Sequence, residues 1–316
     1  MDLNLRFLKT ARCLPGYYPL LSIDREMENA GIRPLLNNQT DAEIYAAKAL
    51  SRARLVRNFY HLSTPPVFVG LMGFSESRTL PFSYWTEIIP YCFDCWPPHY
   101  SRWESFFRRH RVRLAFFSAR QSAVHFINEI PEMASVWLPE ATDPTEYSPA
   151  RPLIERDVDV LELGRKHELY HVRITGALEY AQKSHKYVQY MGMSVFPGKT
   201  GFVEGLGRSR ISICFPCSET NPERAVTVET VTHRYFESIA SKCLILGHAP
   251  KELIDLFGYN PVIEVAWGSE FEQIRSLLNN IATYQEFVER NYERLLEVGT
   301  WESRIAMILS EVRRHS

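Results

Sequence analysis

The sequence has no apolar run approaching the ~18 residues that a membrane-spanning helix needs. Its opening, MDLNLRFLKTARCLPG, also lacks the apolar core of a secretory leader. Both absences point to a cytoplasmic chain. Net charge is missing too: 36 basic against 37 acidic side chains leave a formal −1, which argues against a general nucleic-acid binder. No internal repeat or low-complexity tract is present. The ten histidines include no metal spacing such as H-E-x-x-H, so no metal and no cofactor is expected.

Cysteine is scarce, at six in 316 residues. Four of them form two C-x-x-C pairs, Cys92-Phe-Asp-Cys95 and Cys214-Phe-Pro-Cys217. The pairs lie far beyond the ~15–20 residues that separate the knuckles of a zinc ribbon. A redox pair would open a helix, which makes its thiol reactive, whereas SRISICFPCSE is expected to run from a strand into a polar loop. They read as small buried residues at strand ends. FPGKTGF (196–202) invites a phosphate-loop reading, but the glycine this needs at 193 is Met193, and Gly192 comes one residue early. GFVEGLG then reads as a glycine-rich loop rather than the required helix.

What is present is ordinary for a globular protein: 45% apolar and 23% charged residues over a length that suits two domains of ~150 each. Helical spacing dominates residues 1–62, most clearly in AEIYAAKALSRARLVRNFYHL. PPVFVGLMG then reads as a buried strand. A helix over 82–88, a strand over 89–93, a helix over 101–110 and strands at 113–117 and 136–138 follow. The proline-rich segment 141–157 reads as a linker. Behind it the pattern restarts, with strands at 158–163, 186–191, 210–215, 243–246 and 262–265. Helices are expected at 168–182, 251–257 and 270–278, and from 283 onward. This alternation predicts two α/β domains with parallel sheets facing a central cleft: residues 1–145, with 299–316 packing back on them, and residues 150–298. Ligands in such sheets sit at the carboxyl ends of the strands.

The segment ETVTHRYFESIASKCLILG (229–247) carries the functional reading. Glu229 ends a polar loop, Thr230 or Thr232 is placed to cap the helix that follows, and Glu237 lies about two turns in. Carboxylates there would accept hydroxyl hydrogen bonds from vicinal diols, whether on a ribose or a hexose. The spacing suits a ligand with a sugar at each end and phosphates between. The alternative is that Glu237 is merely an acid on a helix surface.

Glu229-x7-Glu237 followed by SIASKCLILG resembles the signature of two-domain nucleotide-sugar glycosyltransferases of the GT-B fold. The nearest group is the spore-coat-like glycosyl transferase group 1 family, whose R-x-F-E helix is similar to Arg234-Tyr-Phe-Glu237. VWLPEATDPTEYSP, DVDVLELGRKHELYHVRI and GTWESRIAMIL resemble other parts of that family, so that the likeness spans roughly 85–310. The resemblance implies a GT-B type α/β fold of two Rossmann-like domains and a metal-independent transfer of sugar, with retention, from a nucleoside diphosphate to a hydroxyl acceptor. Glu237 would hold the ribose and Glu229 the donor sugar. Gly164, Arg165 and Lys166 would meet the diphosphate, and Arg234 would be either a phosphate ligand or an ion-pair partner of the two acids.

The family's usual first strand and glycine-rich loop are not legible here. The N-terminal domain is therefore expected to be abbreviated and helix-rich at its start. Asp94, at a strand end, resembles the family's acid that orients the acceptor hydroxyl, or else it caps a turn; His99 is a second acceptor-side candidate. The acceptor itself, whether glycan, lipid-linked or other, is unknown. RWESFFRRHRVRLAFFSAR (102–120) holds six arginines among Trp103, Phe106 and Phe107. It could dock peripherally on anionic lipid at the inner membrane face, or be a helix with aromatics inward and arginines solvated. The competing functions are a sugar-nucleotide epimerase and a catalytically silent nucleotide-sugar-binding or partner-binding subunit.

Overall fold

Strand pairing sorts the described strands into two sheets, each wholly parallel. The computed structural model describes residues 5–9, 18–35, 65–73, 86–147, 151–188 and 195–315, with a few positions between 42 and 84. The chain forms two compact units. One holds residues 1–139, 224–228 and 304–316; the other holds residues 140–223 and 229–303.

In the first unit β1 (Arg6–Leu8), β2 (Arg33–Leu35), β3 (Val67–Met72), β4 (Ile88–Phe93), β5 (Leu114–Phe117) and β6 (Ala134–Trp137) stand in the order β2-β1-β3-β4-β5-β6. Every residue of β4 is buried, which explains its unbroken apolar sequence IIPYCF. Helices Tyr100–Arg109 and Arg120–Glu129 contribute Trp103, Phe106, Phe107 and Phe126, all 0% exposed, to the core against this sheet. Phe126 stacks on Phe117 and meets Phe107 edge-on, with centroids 5.2 and 5.1 Å apart. From Arg304 onward the C-terminal helix Trp301–His315 belongs to this unit. The buried Arg304 donates from Nε to the Pro139 carbonyl at 2.9 Å.

Three expectations change here. Residues 1–62 are not uniformly helical: β1 opens the sheet ahead of helix Tyr18–Asn29, and β2 follows it. A three-residue strand such as RFL has no periodicity of its own to read, because it is held by pairing with Arg33–Leu35 and Val67–Phe68. The longer helical pattern at 42–62 falls almost entirely outside the described residues. The helix expected over 82–88 is a single 3-10 turn, Phe82–Tyr84, and Ile88 already belongs to β4. In 102–120 the aromatics are interior, and Arg108 pairs with Glu104 and Glu132, Arg113 with Glu87. Arg120 lies 3.9 Å over the Trp137 ring. Trp103, Phe106 and Phe107 are thus withdrawn from any lipid-facing role.

The second unit contains β7 (Val158–Glu162), β8 (His185–Tyr187), β9 (Ser209–Cys214), β10 (Leu244–Gly247) and β11 (Ile263–Glu264), in the order β11-β10-β9-β7-β8. Helices Glu168–Tyr180 and Glu270–Asn279 pack Tyr170, Ile174, Leu178, Ile274 and Leu277 on one apolar cluster. A second cluster gathers Tyr235, Phe236 and Ile239 of helix His233–Ala240, Leu253 and Phe257 of helix Lys251–Phe257, and Leu295 of helix Gln285–Val298. The i, i+1, i+4 spacing of Tyr235, Phe236 and Ile239 makes one buried stripe, which fixes how that helix lies.

The glycine-rich stretch is a correction. It forms a helix, Gly198–Gly207, with Pro197 at its N-cap. Gly205 is needed for close packing, since a Cβ there would stand 2.3 Å from the Phe196 ring. Lys199 is paired with Glu146 at 2.9 Å, while Gly192 and Met193 lie outside the described residues. The C-x-x-C cysteines are all buried, two in each unit, and burial pushes the Cys92, Cys95 and Cys214 thiols up.

At the carboxyl end of β10, Gly247 pairs with Cys214 so closely that a Cβ would lie 1.9 Å from the Cys214 carbonyl oxygen. Gly247→Ala is expected to destabilise the fold by on the order of 3 kcal/mol. Gly176→Ala, on the exposed face of helix Glu168–Tyr180 with nothing within 4 Å, should instead stabilise by up to about 1 kcal/mol. Urea unfolding of both variants checks the pair, and an unaffected Gly247→Ala would contradict the packing described.

Candidate functional site

Because β7, β9, β10 and β11 run parallel, the turns that leave them gather at one edge of the second sheet. Each turn places a polar side chain at that edge. After β7 comes Gly164, whose φ of +77° suits glycine, then Arg165, Lys166 and His167. His167 occupies the N-cap of helix Glu168–Tyr180, and its Nδ1 accepts from the Tyr170 N–H at 3.3 Å. After β9, Glu219 sits in the one-turn helix Cys217–Thr220. His248 immediately follows β10, and Glu264 ends β11.

These side chains converge. His248 Nδ1 lies 3.2 Å from Glu264 Oε2, while its Nε2 is 3.8 Å from Glu229 Oε1 and 3.9 Å from Glu219 Oε1. His167 Nε2 approaches Glu219 from the other side at 3.8 Å. The other Glu264 oxygen accepts from the Ala249 N–H and from Asn260, each at 3.0 Å. Three carboxylates and two imidazoles therefore share one patch. Burial pushes the Glu219 carboxyl up, His248 and His167 pull it back, and Glu229 and Glu264 raise it again. Beside the patch the half-exposed Trp267 stands 5.3 Å from His167 and 6.2 Å from Phe215 between ring centroids. It offers a flat apolar face next to these carboxylates.

Helix His233–Ala240 brings a second group of polar residues to the same turns. Its Arg234 donates from Nη1 to the carbonyls of Leu163 and Arg165, at 3.3 and 3.1 Å, and so holds the turn that carries Gly164. A Cβ on Gly164 would lie 3.6 Å from Arg234 Cδ. Glu237, half-buried one turn further along, has its carboxyl pushed up to about 7 by burial, with the Arg234 guanidinium pulling the other way. Burial and then nearby Glu237 push the Tyr147 phenol up.

The helix begins later than the sequence implies. Residues 229–232 precede it, so Glu237 stands one turn in, not two. Thr232 is at the N-cap but makes no capping bond. The buried Glu140 carboxylate instead accepts from the His233 N–H at 2.7 Å. His233 is buried against Ala141 and Trp301, as local packing predicts.

The remaining candidates divide. The Arg165 side chain is exposed on the turn that Arg234 holds. Lys166 turns aside, with Nζ 3.4 Å from His171 Nε2 and 5.1 Å from the Tyr187 ring centroid. Asp94 and His99 belong to the first unit. Asp94 follows β4 with a φ of +51° and lies 3.5 Å from the Arg224 guanidinium; exposed His99 stands at the N-cap of helix Tyr100–Arg109 without a capping bond. Sequence reasoning missed His167, Glu219, His248, Glu264 and Trp267. The signal was present for most of them, because each lies within a few residues of the carboxyl end of an anticipated strand.

No family model matches the chain, and no curated protein is similar to it. Solved structures are. Sucrose-phosphate synthase from Thermosynechococcus elongatus aligns with a TM-score of 0.61 at 8% identity, over 98% of each chain. The Anabaena protein HepE in complex with UDP-glucose gives 0.58 at 10%, over 97% of this chain and 99% of that one. A glycosyltransferase from Rickettsia africae gives 0.57 at 9%, over 99% of both. The fold is the GT-B type, two parallel-sheet α/β domains.

The Glu237 carboxyl makes a stability prediction with a defined sign. It keeps its proton to about 7 in the folded chain but ionises near 4.5 when unfolded, so the folded form binds more protons in between. Its contribution to stability is therefore lost as pH rises from 4.5 through 7. Glu237→Gln should remove that loss, gaining on the order of 2 kcal/mol at pH 8 and little at pH 5. Urea unfolding at the two pH values measures it, and equal gains would refute the raised Glu237 carboxyl.

Proposed function

We propose that the protein is a glycosyltransferase that moves a sugar from a nucleoside-diphosphate donor to a hydroxyl acceptor, without a metal ion and with retention. One observation carries this reading: acids, imidazoles and the Arg234-braced glycine turn meet at the carboxyl ends of the second sheet. The likeness in fold to a protein bound to UDP-glucose supports it.

In this reading Glu237, as a carboxylate, accepts hydrogen bonds from the ribose diol, and Glu229 accepts from the donor sugar. Gly164 lets the diphosphate approach the backbone, and Arg165 supplies the guanidinium that meets the charge developing on the leaving phosphate. Arg234 positions that turn, because its Nη1 is already engaged with the Leu163 and Arg165 carbonyls. Lys166 joins the phosphate only by leaving His171. His248, gripped between Glu264 and Glu229, orients the sugar-binding acid. Trp267 gives the donor an apolar surface. Asp94, in the first unit, is the acceptor-orienting candidate, and the first unit is the acceptor side.

The transfer breaks the bond between the anomeric carbon and the phosphate oxygen and forms one to the acceptor oxygen on the same face. The departing phosphate oxygen takes the acceptor proton. Retention by this route needs no separate protein base, so the acids at the site serve to bind hydroxyls.

A panel of uridine, guanosine, thymidine and adenosine diphosphates and their sugar conjugates, screened by thermal shift, tests donor binding. One nucleotide series should raise the melting temperature, and Glu237→Gln should weaken its binding about tenfold, the loss of one good hydrogen bond to a charged acceptor. Glu229→Gln should lower transfer more than nucleotide affinity. No shift with any nucleotide rejects the proposal. Binding without nucleotide release across hydroxyl acceptors would indicate a silent subunit, and conversion of free nucleotide sugar would indicate an epimerase.

A further inference from the structure

Away from the strand-end acids, the edge of the second sheet holds a group that sugar transfer does not use. Glu162, the last residue of β7, is 2% exposed. Its Oε1 lies 2.5 Å from His171 Nδ1, on helix Glu168–Tyr180, and 2.8 Å from His185 Nε2, on β8. One ligand atom from each residue falls within 4.8 Å of the other two. Tyr187 covers the two imidazoles, with centroids 4.7 and 4.8 Å away.

Hydrogen bonds among the three leave buried atoms over. Glu162 Oε2 and His185 Nδ1 have no hydrogen-bond partner among the described residues. A buried carboxylate with one idle oxygen is a costly arrangement, and a cation removes the cost by engaging the charge directly. We infer that Glu162, His171 and His185 form a binding site for one divalent transition-metal ion. Two imidazole nitrogens and one carboxylate suit zinc, cobalt or nickel; magnesium and calcium prefer oxygen throughout. Bonds of ~2.1 Å in a tetrahedral set hold ligand atoms about 3.4 Å apart, so loading parts the acid from the rings by under about 1 Å. The fourth position is left to water.

The ion would clamp β8, which among the described strands pairs with β7 alone, to the helix beside it. Lys166 opposes loading. Its ammonium faces His171 Nε2 at 3.4 Å, and coordination through Nδ1 puts the ring proton on Nε2, donor against donor. Binding therefore drives Lys166 away from His171. The inference does not depend on the proposed transfer reaction, because the ion is read by its own spectrum.

Chelator-treated full-length protein titrated with cobalt(II) tests this. The expected result is the visible absorption of tetrahedral cobalt with nitrogen ligands, saturating at one equivalent and bleached by zinc. His185→Ala and Glu162→Gln should each weaken binding more than about tenfold, and Lys166→Met should tighten it. Absence of the band in the wild-type chain overturns the site, whatever the variants do. So does a band of undiminished strength in a folded His171→Ala variant, which would mark surface histidines as the ligands. Equal or weaker binding by Lys166→Met overturns Nδ1 of His171 as the ligand atom.

Discussion

Parallel pairing of the strands in the second sheet is the constraint on which its chemistry depends. Leu161 pairs with Ser212, and Ile213 with Leu246, so β7, β9 and β10 finish at the same edge. A parallel strand must leave by a turn at its carboxyl end, and those turns carry Gly164, Glu219 and His248. Gly247 sets the tightest point, where β10 lies against the Cys214 carbonyl with no room for a side chain. Were the pairing one residue out of register, His248 would no longer face Glu264 and Glu229 together.

The acids at this edge are interleaved with imidazoles. His248 stands among Glu219, Glu229 and Glu264, His167 meets Glu219, and Arg234 is spent on two backbone carbonyls rather than on a carboxylate. The guanidinium therefore does structural work on the glycine turn and also lowers the cost of ionising Glu237. That cost is still large enough to push the carboxyl up. A hydroxyl-rich ligand would supply hydrogen bonds that favour the ionised form, so binding and ionisation at Glu237 reinforce each other.

The first unit is held together differently. Its sheet is buried under an aromatic layer of Trp103, Phe106, Phe107, Phe117 and Phe126, whose edge-on and stacked contacts define the helix positions. Arg102, Arg108 and Arg109 lie on the outer side of helix Tyr100–Arg109, with Arg108 bridging two glutamates. No helix among the described residues is long and apolar enough to cross a membrane. Asp94, with positive φ after a fully buried strand, is placed by that sheet and faces Arg224, a residue distant in sequence but part of the same unit.

The sequence by itself determined the class of the fold and the course of several of its strands and helices. Alternation of buried strands with amphipathic helices is a local pattern, so the strands from β3 onward and the helices Lys251–Phe257 and Glu270–Asn279 were legible with small errors at their ends. Short strands held by partners, such as β1, were not, and neither was a glycine-rich helix that exists because Gly205 packs on Phe196. Glu229 and Glu237 were visible as a spacing. Their surroundings were not, because Glu140 capping His233 and Glu264 meeting His248 join residues far apart in the chain. Helical periodicity reaches three or four residues, whereas a site at the edge of a parallel sheet takes its members from every strand, and only the folded chain brings those ends together.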